Sequence, residues 1–457
     1  MVMGSLPERV DLAVVGGGVG GYTAAIRAAE LGMSVAIVEK DKIGGACPNY
    51  ACIPSKTLIH IADLFYKMKN SEKFGIGAEN VSIDPKKTHD WRMKVSKKLE
   101  DGVTYLCKAN GIEIFKAEAT FLSSNSLQLS DGITLEFKHA VIATGSVPNA
   151  LPDFGFNDYI IDYKKALMLD YIPKSMAIIG AGFVAVETGT LYAKLGCKVS
   201  IIARSSLLSS FDPDAVALVQ QRMESLGVKI YTGTTPVSSS KGSLKLSNGD
   251  TVDAEIIMVA TGLSPYTKGL GLDNTKVKLD EKGFVAVDNR LQTSDPAIYA
   301  VGDVVGTPML AHKAIRQGVV VAEAISGNGS YDNVVVPAVV FSDPEIAIAG
   351  EVKPSEGITI TKFPFSAIGR SIALDTTVGF VKIASDAAGV ERCVEIVSDD
   401  ANALISEAAL AIELGATIED IADTIHPHPT YSEALQEAAE AALGRPVHFF
   451  YGKQKTG

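Results

Sequence analysis

Asp11-Leu12-Ala13-Val14-Val15-Gly16-Gly17-Gly18-Val19-Gly20-Gly21 decides the reading of this chain. A short apolar run meets a Gly-x-Gly-x-x-Gly turn. Beyond it an alanine-rich amphipathic stretch, Tyr22 to Leu31, reads as a helix, and Ser34 to Val38 reads as a second strand ending at Glu39. Strand, glycine turn, helix, strand and terminal acid together are the fingerprint of a dinucleotide-binding βαβ unit. Gly16 permits the tight turn, Gly18 lets backbone approach a pyrophosphate, and Gly21 lets the helix pack closely on the strand. The helix N-terminus offers N–H donors and a positive dipole end to phosphate. Glu39 lies 18 residues past Gly21, where a carboxylate can accept from ribose hydroxyls.

The pattern recurs downstream. Ser175 to Ile179 precedes Gly180-Ala181-Gly182-Phe183-Val184-Ala185, a helix continues through Glu187 to Leu195, and a strand Lys198 to Ile202 follows. It ends at Ala203-Arg204, without an acid. Arg204 then reads either as tolerance for the 2′-phosphate of NADP or as a solvated loop residue. Two such units imply two dinucleotides, one resident and one exchanging.

Between the two, Gly44-Gly45-Ala46-Cys47-Pro48-Asn49-Tyr50-Ala51-Cys52-Ile53-Pro54-Ser55-Lys56 holds the one close pair among five cysteines. Four intervening residues can bring two sulfurs within bridging distance across a helical turn. Lys56 to Met68 is helix-like, so Cys52 falls near a helix N-terminus, which favours a thiolate, and Lys56 adds a fixed positive charge. Neither a second cysteine pair nor a histidine nearby completes a tetrahedral metal site, so no metal is expected. Cys107, Cys197 and Cys393 read as small buried apolar residues.

Here the sequence resembles the pyridine nucleotide–disulfide oxidoreductases, whose signature is Gly-Gly-x-Cys-x-x-x-x-Cys-x-Pro-(Ser)-Lys. The resemblance implies a redox disulfide Cys47–Cys52, with Cys47 the interchange sulfur that meets substrate and Cys52 facing the flavin of FAD. It implies that Lys56 and Glu187 pair beside the flavin's reactive edge. The chain departs from the pattern at Pro48, where the family has Leu or Val, and at Tyr50-Ala51, where it has Val-Gly. Pro48 fixes one φ and deletes a donor, and Ala51 lacks the freedom of Gly at positive φ, so a locally altered geometry is expected.

The resemblance runs on. Ala143-Thr144-Gly145 looks like the strand-end motif that closes the FAD domain, and Ala260-Thr261-Gly262 repeats it. Ile298 to Asp303 resembles the second FAD motif, in which the Asp holds the ribityl chain. Ala311, in Met309 to Ala314, and Ala119, near the adenine, match further cofactor positions. His428 and Glu433 match the family's His-Pro-Thr-x-x-Glu, in which His is the base toward the substrate thiol and Glu orients it. A thiol with a pKa near about 8.5 attacks a disulfide only as thiolate, so a base working near neutrality helps. His426 reads as structural.

The expected fold is α/β: two Rossmann-like dinucleotide-binding domains plus a C-terminal α+β dimerisation domain. Residues 1–147 and 265–334 are expected to bind FAD, 148–264 NAD or NADP, and 335–457 to form the interface. From Val336 on, Val336 to Phe341, Ile358 to Phe363 and Gly379 to Ile383 read as strands, and Ala403 to Leu414 as a helix.

Residues 415–448 look most like the family branch that oxidises dihydrolipoamide. Unlike the mercuric reductases, the chain ends at Tyr451 to Gly457 without a cysteine pair. The resemblance implies a homodimer, with lipoyl domains of a 2-oxoacid dehydrogenase or glycine cleavage complex as carriers of the dithiol. Two alternatives stand beside it: an NADPH-dependent reductase of another disulfide, and a redox-inactive scaffold subunit. A net charge of −11 without a long basic run argues against nucleic acid and anionic membrane as partners. No apolar run reaches the roughly 18 residues of a membrane span, and no signal peptide is recognised, so a cytoplasmic location is expected.

Overall fold

Leu12, Ala13, Val14 and Val15 are all buried, as are Val35 to Val38. Continuous apolar runs without alternation are what strands covered on both faces require. In the computed structural model, which describes residues 8–333, 335–351 and 357–450, these runs lie at the centre of a seven-stranded sheet. The terminal heptapeptide Tyr451 to Gly457 lies outside the described residues. The chain divides into two compact units, residues up to 172 with 258–332, and 173–257 with residues from 333 on.

In the first unit the strands run in the order Glu113–Phe115, Val35–Val38, Glu8–Val15, Thr134–Ile142, Ser126–Leu129, Ala119–Ser123, and Ile298–Ala300 also pairs with Thr134–Ile142. The strand Glu8–Val15 is parallel to both neighbours, with Val15 opposite Val38 and Ile142, and Ile142 lies opposite Ala300 in a further parallel pair. Four strands therefore end together at one carboxyl edge. Gly16, Glu39, Ala143 and Val301 are the first residues past it, so the two segments read as FAD motifs emerge side by side despite their separation in sequence. The helix Val19–Glu30 packs on Ala311–Ile325 through glycines: a Cβ on Gly318 would sit 2.6 Å from the Gly20 carbonyl oxygen.

In the second unit Ser175–Ile179, Lys198–Ile202 and Lys229–Tyr231 form parallel pairs, with Ile202 opposite both Ile179 and Tyr231. The helix Phe183–Lys194 follows the first of them. The C-terminal part is a five-stranded antiparallel sheet, ordered Ala338–Val340, Glu345–Gly350, Glu391–Ser398, Phe380–Ser385, Thr359–Pro364. Its apolar face, with Phe363, Val381, Val394 and Ile396, shares a buried cluster with Ile405 and Ala408 of the helix Ala401–Leu414 and Leu435 of Glu433–Ala442. Each such Ile or Leu contributes roughly 1.5–3 kcal/mol on burial.

The architecture is the expected one, two βαβ nucleotide folds and a C-terminal α+β part. Element ends shift. The first helix begins at Val19 rather than Tyr22, and the helix after the second glycine turn runs from Phe183 to Lys194. The helix expected from Lys56 begins at Cys52 and runs to Lys69. Pro54 does not delay it, because a first-turn N–H has no partner within the helix.

Candidate active site

The glycine turn is fixed sterically. Gly16 has φ +102°, and a Cβ there would lie 2.5 Å from the Ala143 carbonyl oxygen; one on Gly21 would lie 2.0 Å from the Gly16 carbonyl oxygen. Gly18 differs: a Cβ would meet nothing nearer than the Ala143 oxygen at 4.0 Å. It is the N-cap of Val19–Glu30 and gives the helix no side-chain cap. Close packing at Gly16 and Gly21 with room at Gly18, in front of an uncapped helix end, fits a pyrophosphate. Glu39 stands beside this turn. Its carboxylate accepts from the Gly17 and Asp41 N–H groups, each at 2.7 Å.

Across the same edge, Asp303 accepts from the Ser146 hydroxyl at 2.6 Å. Burial pushes the Asp303 carboxyl up, against the Ser146 hydrogen bond and the charge of Lys313. Lys313 is itself buried and donates to the Gly306 carbonyl at 2.7 Å. The Thr144 hydroxyl donates to the Tyr266 carbonyl at 2.6 Å, and the strands that follow the two Ala-Thr-Gly turns, Ser146–Pro148 and Leu263–Pro265, pair antiparallel. Ala119 is buried at the start of its strand, and Ala311 is the first residue of the helix Ala311–Ile325.

The cysteine segment is stitched to the glycine turn. Gly44 N–H donates to the Gly17 carbonyl at 2.8 Å, and a Cβ on Gly45 would lie 2.6 Å from the Gly18 Cα. Cys47 is the second residue of the short helix Ala46–Tyr50, and Cys52 is the first of Cys52–Lys69. Asn49, buried between them, donates to the carbonyls of Ile43 and Gly45 at 3.1 and 2.9 Å.

Pro48 and Ala51, the two departures from the family pattern, fall in and between the two helices of the cysteine segment. Pro48 sits in the first turn of its helix, where the missing N–H costs no helical bond. Ala51, the junction between the helices, has φ −130° and ψ −96°, so its φ is negative while its ψ lies outside the ordinary helical and extended ranges.

The two sulfur side chains hydrogen-bond to each other, which puts them within contact of one another. That bond to Cys52 pushes the Cys47 thiol up, burial and the charge on Cys52 push it further, and Lys56 pulls it down. Cys52 opens the helix Cys52–Lys69, where the dipole and free N–H groups favour a thiolate. Tyr163, for which sequence reasoning had no signal, feels burial first and then the charges of Asp162, Asp303 and Cys52, all of which raise it.

In the second unit, Nδ1 of His428 stands 2.7 Å from Oε1 of Glu433, and the other carboxylate oxygen accepts from Thr430 N–H at 2.8 Å. The His428 side chain is 77% exposed, open to a thiol, whereas the Glu433 side chain is 20% exposed. Burial pushes Glu433 up, but the His428 and Thr430 hydrogen bonds and the charges of His428 and His448 outweigh it and hold the carboxyl below its ordinary value.

At the second nucleotide turn, Gly180 has φ +144° and Gly182 has room for a Cβ. Ala185 and Ala203 are buried, and Arg204 is exposed past the strand end. Glu187 is buried and accepts from Phe341 N–H at 3.0 Å. Gly262, at φ +120°, accepts from Asn149 N–H at 3.1 Å in the first unit.

A family model described as pyridine nucleotide-disulphide oxidoreductase matches residues 10–318, and one for that family's dimerisation domain matches 336–439. The chain belongs to this family. Members similar along its length are named dihydrolipoyl dehydrogenase: one from Geobacillus stearothermophilus is 44% identical, covering 98% of this chain and 99% of its own, and one from Bacillus subtilis (strain 168) is 41% identical with the same coverage. A further one, from Haloferax volcanii, is 39% identical, covering 98% of this chain and 99% of its own. Among solved structures, LpdA from Mycobacterium tuberculosis superposes with a TM-score of 0.88 at 25% identity, covering 95% of this chain and 99% of that one. The HOCl-induced flavoprotein disulfide reductase RclA from Escherichia coli, at 24% identity and a TM-score of 0.85, shares the fold. Within the family frame, Ser146, Lys313 and Asn49 are supporting residues that sequence reasoning did not single out, since their partners are backbone groups or lie far along the chain.

Proposed function

We propose that this protein oxidises dihydrolipoamide to lipoamide through Cys47 and Cys52, with FAD and a pyridine nucleotide as electron carriers. The observation that carries the reading is the contact of the two sulfurs at the start of Cys52–Lys69, beside the glycine turn. The names and full-length similarity of the relatives support the substrate. FAD, bound along Gly16, Gly18, Gly21 and Glu39 with Thr144, Gly145, Asp303, Ala311 and Ala119 around it, would take the electron pair from the sulfurs and pass it to the nicotinamide dinucleotide. Residues 1–147 and 265–334 serve that site. Residues 148–264, with Gly180, Gly182, Ala185, Ala203, Arg204 and Gly262, hold NAD or NADP, and 335–457 make a homodimer interface.

The thiol chemistry belongs to the chain itself. His428 takes the proton of one substrate thiol, and Glu433 fixes the ring and stabilises the imidazolium. The thiolate attacks Cys47 of the oxidised pair, and the Cys47–Cys52 bond breaks with Cys52 leaving as thiolate. The second substrate thiolate then displaces Cys47, so lipoamide leaves oxidised and the cysteine pair stays reduced. Lys56 offsets the charge left on the sulfurs, and Glu187 serves with it at the flavin edge. In the homodimer His428 of one copy serves the sulfurs of the other. Lipoyl domains of a 2-oxoacid dehydrogenase or glycine cleavage complex are the proposed carriers, and the cytoplasm the proposed location. No helix among the described residues is long and apolar enough to cross a membrane.

Steady-state oxidation of dihydrolipoamide with NAD⁺ and with NADP⁺ tests the reading. Turnover with at least one is expected. No turnover with either, alongside reduction of another disulfide by NADPH, would transfer the protein to the reductase alternative.

A further inference from the structure

Two residues before His428 lies a second histidine in a contrasting environment. The His426 side chain is 3% exposed. Its Nδ1 stands 2.9 Å from the Thr424 carbonyl oxygen, and its Nε2 2.8 Å from Oε1 of Glu407. A carbonyl and a carboxylate only accept, so both ring nitrogens must donate and the ring is an imidazolium. The Glu407 hydrogen bond raises His426, burial opposes it, and the Thr424 carbonyl and the charges of Glu407 and Glu433 add to the rise.

The groups around this cation come from three elements. Glu407 is on the helix Ala401–Leu414, and Glu433 opens Glu433–Ala442. Glu391, on the strand Glu391–Ser398, faces Glu407 and is fully buried, with no hydrogen-bond partner for either carboxylate oxygen among the described residues. Burial pushes Glu391 up to about 8, so near neutrality it stays protonated and leaves Glu407 as the counter-charge of His426. Around it, the segment turns on short local bonds: Thr424 hydroxyl to the Asp420 carbonyl, and Thr430 hydroxyl to the Pro427 carbonyl, both at 2.7 Å. Ile425, beside His426, is 92% exposed. The His426–Glu407 pair, with the histidine ring enclosed and the carboxylate 40% exposed, ties this segment to the helix Ala401–Leu414.

We propose that His426, held as a cation by Glu407, is a positioning residue for dithiol oxidation: it pins the segment that carries His428 to the helix Ala401–Leu414. This rests on the reading of His428 as the thiol base.

The test compares the holoenzyme with its Glu407→Gln and His426→Gln variants, and with His426→Lys, which keeps a charged donor toward Glu407. The readouts are kcat and KM for dihydrolipoamide across pH 6–9, and separately the rate of flavin reduction by reduced nicotinamide, which uses no thiol base. Expected are a fall of about tenfold in dithiol kcat for both Gln variants with a displaced pH profile, little change in KM, flavin reduction as in the parent, and partial recovery in His426→Lys. Unaltered kcat and pH profile in the Gln variants would overturn the proposal. So would equal losses in both half-reactions, which would mark general damage to the fold. An unmodified protein that oxidises no dithiol would overturn the functional reading itself, and this role with it.

Discussion

Glu433 divides its carboxylate between Nδ1 of His428, at 2.7 Å, and the N–H of Thr430, at 2.8 Å. The imidazole is thereby held in one tautomer with its other nitrogen outward, which is the arrangement a thiol base needs. Glu433→Gln should keep the shape and lose the charge, lowering dithiol turnover on the order of 10²-fold and sparing flavin reduction by nicotinamide. Because Glu433 is held below its ordinary value, the pair's contribution is present above that ordinary value and fades as the pH falls through the lowered one. The acid limb of a kcat–pH profile checks this.

The glycines of the first turn should separate into two kinds. Gly21→Ala drives a Cβ to 2.0 Å from a backbone oxygen, and Gly16→Ala to 2.5 Å at positive φ, so both should cost more than about 2 kcal/mol and lower the thermal midpoint. Gly18→Ala meets no such obstacle and should fold as the parent does while retaining less FAD. Thermal melts beside the flavin content of purified protein distinguish the two.

A buried carboxyl makes a pH prediction of opposite sign. Glu391 has its value raised, so its protonated form suits the fold: the stability it allows is complete below the ordinary glutamate value and is lost as pH rises toward about 8. Glu391→Gln should melt like the parent at pH 5 and several degrees higher at pH 8. Equal midpoints at pH 8 would contradict the assignment.

Asp343 bears on the second unit's integrity. One of its oxygens accepts from Lys194 at 2.7 Å and from Arg222 at 2.9 Å, and the Lys194 side chain is only 6% exposed. Asp343→Asn removes the carboxylate that Lys194 and Arg222 share in this half-buried site and should cost roughly 3 kcal/mol. Chemical denaturation of the two proteins measures it.

What the sequence made legible was local. The apolar run into Gly16, the acid at Glu39 and the spacing of Cys47 and Cys52 are short-range patterns, and each reflects a steric or electrostatic demand of a few neighbouring residues. His428 and Glu433, five apart, were legible for the same reason. Other features had no local sign. Ser146 and Asp303 meet only because parallel strands end at one edge. Glu407 reaches His426 only once the C-terminal helices pack. The strand Glu391–Ser398 is interrupted by Glu391, Arg392 and Glu395, charges that hide its apolar character although both glutamates are buried. The conformation of Ala51, with φ −130° and ψ −96°, was not legible either, because it is set by the junction of two helices.

The central claim is that Cys47 and Cys52 store an electron pair next to FAD. Anaerobic dithionite titration of the flavin-loaded protein tests it most directly. The account predicts electron uptake of about four per FAD, two more than a flavin alone accepts, with a long-wavelength thiolate–flavin band at the halfway point that Cys52→Ser abolishes. Uptake of only two electrons and no such band would contradict it.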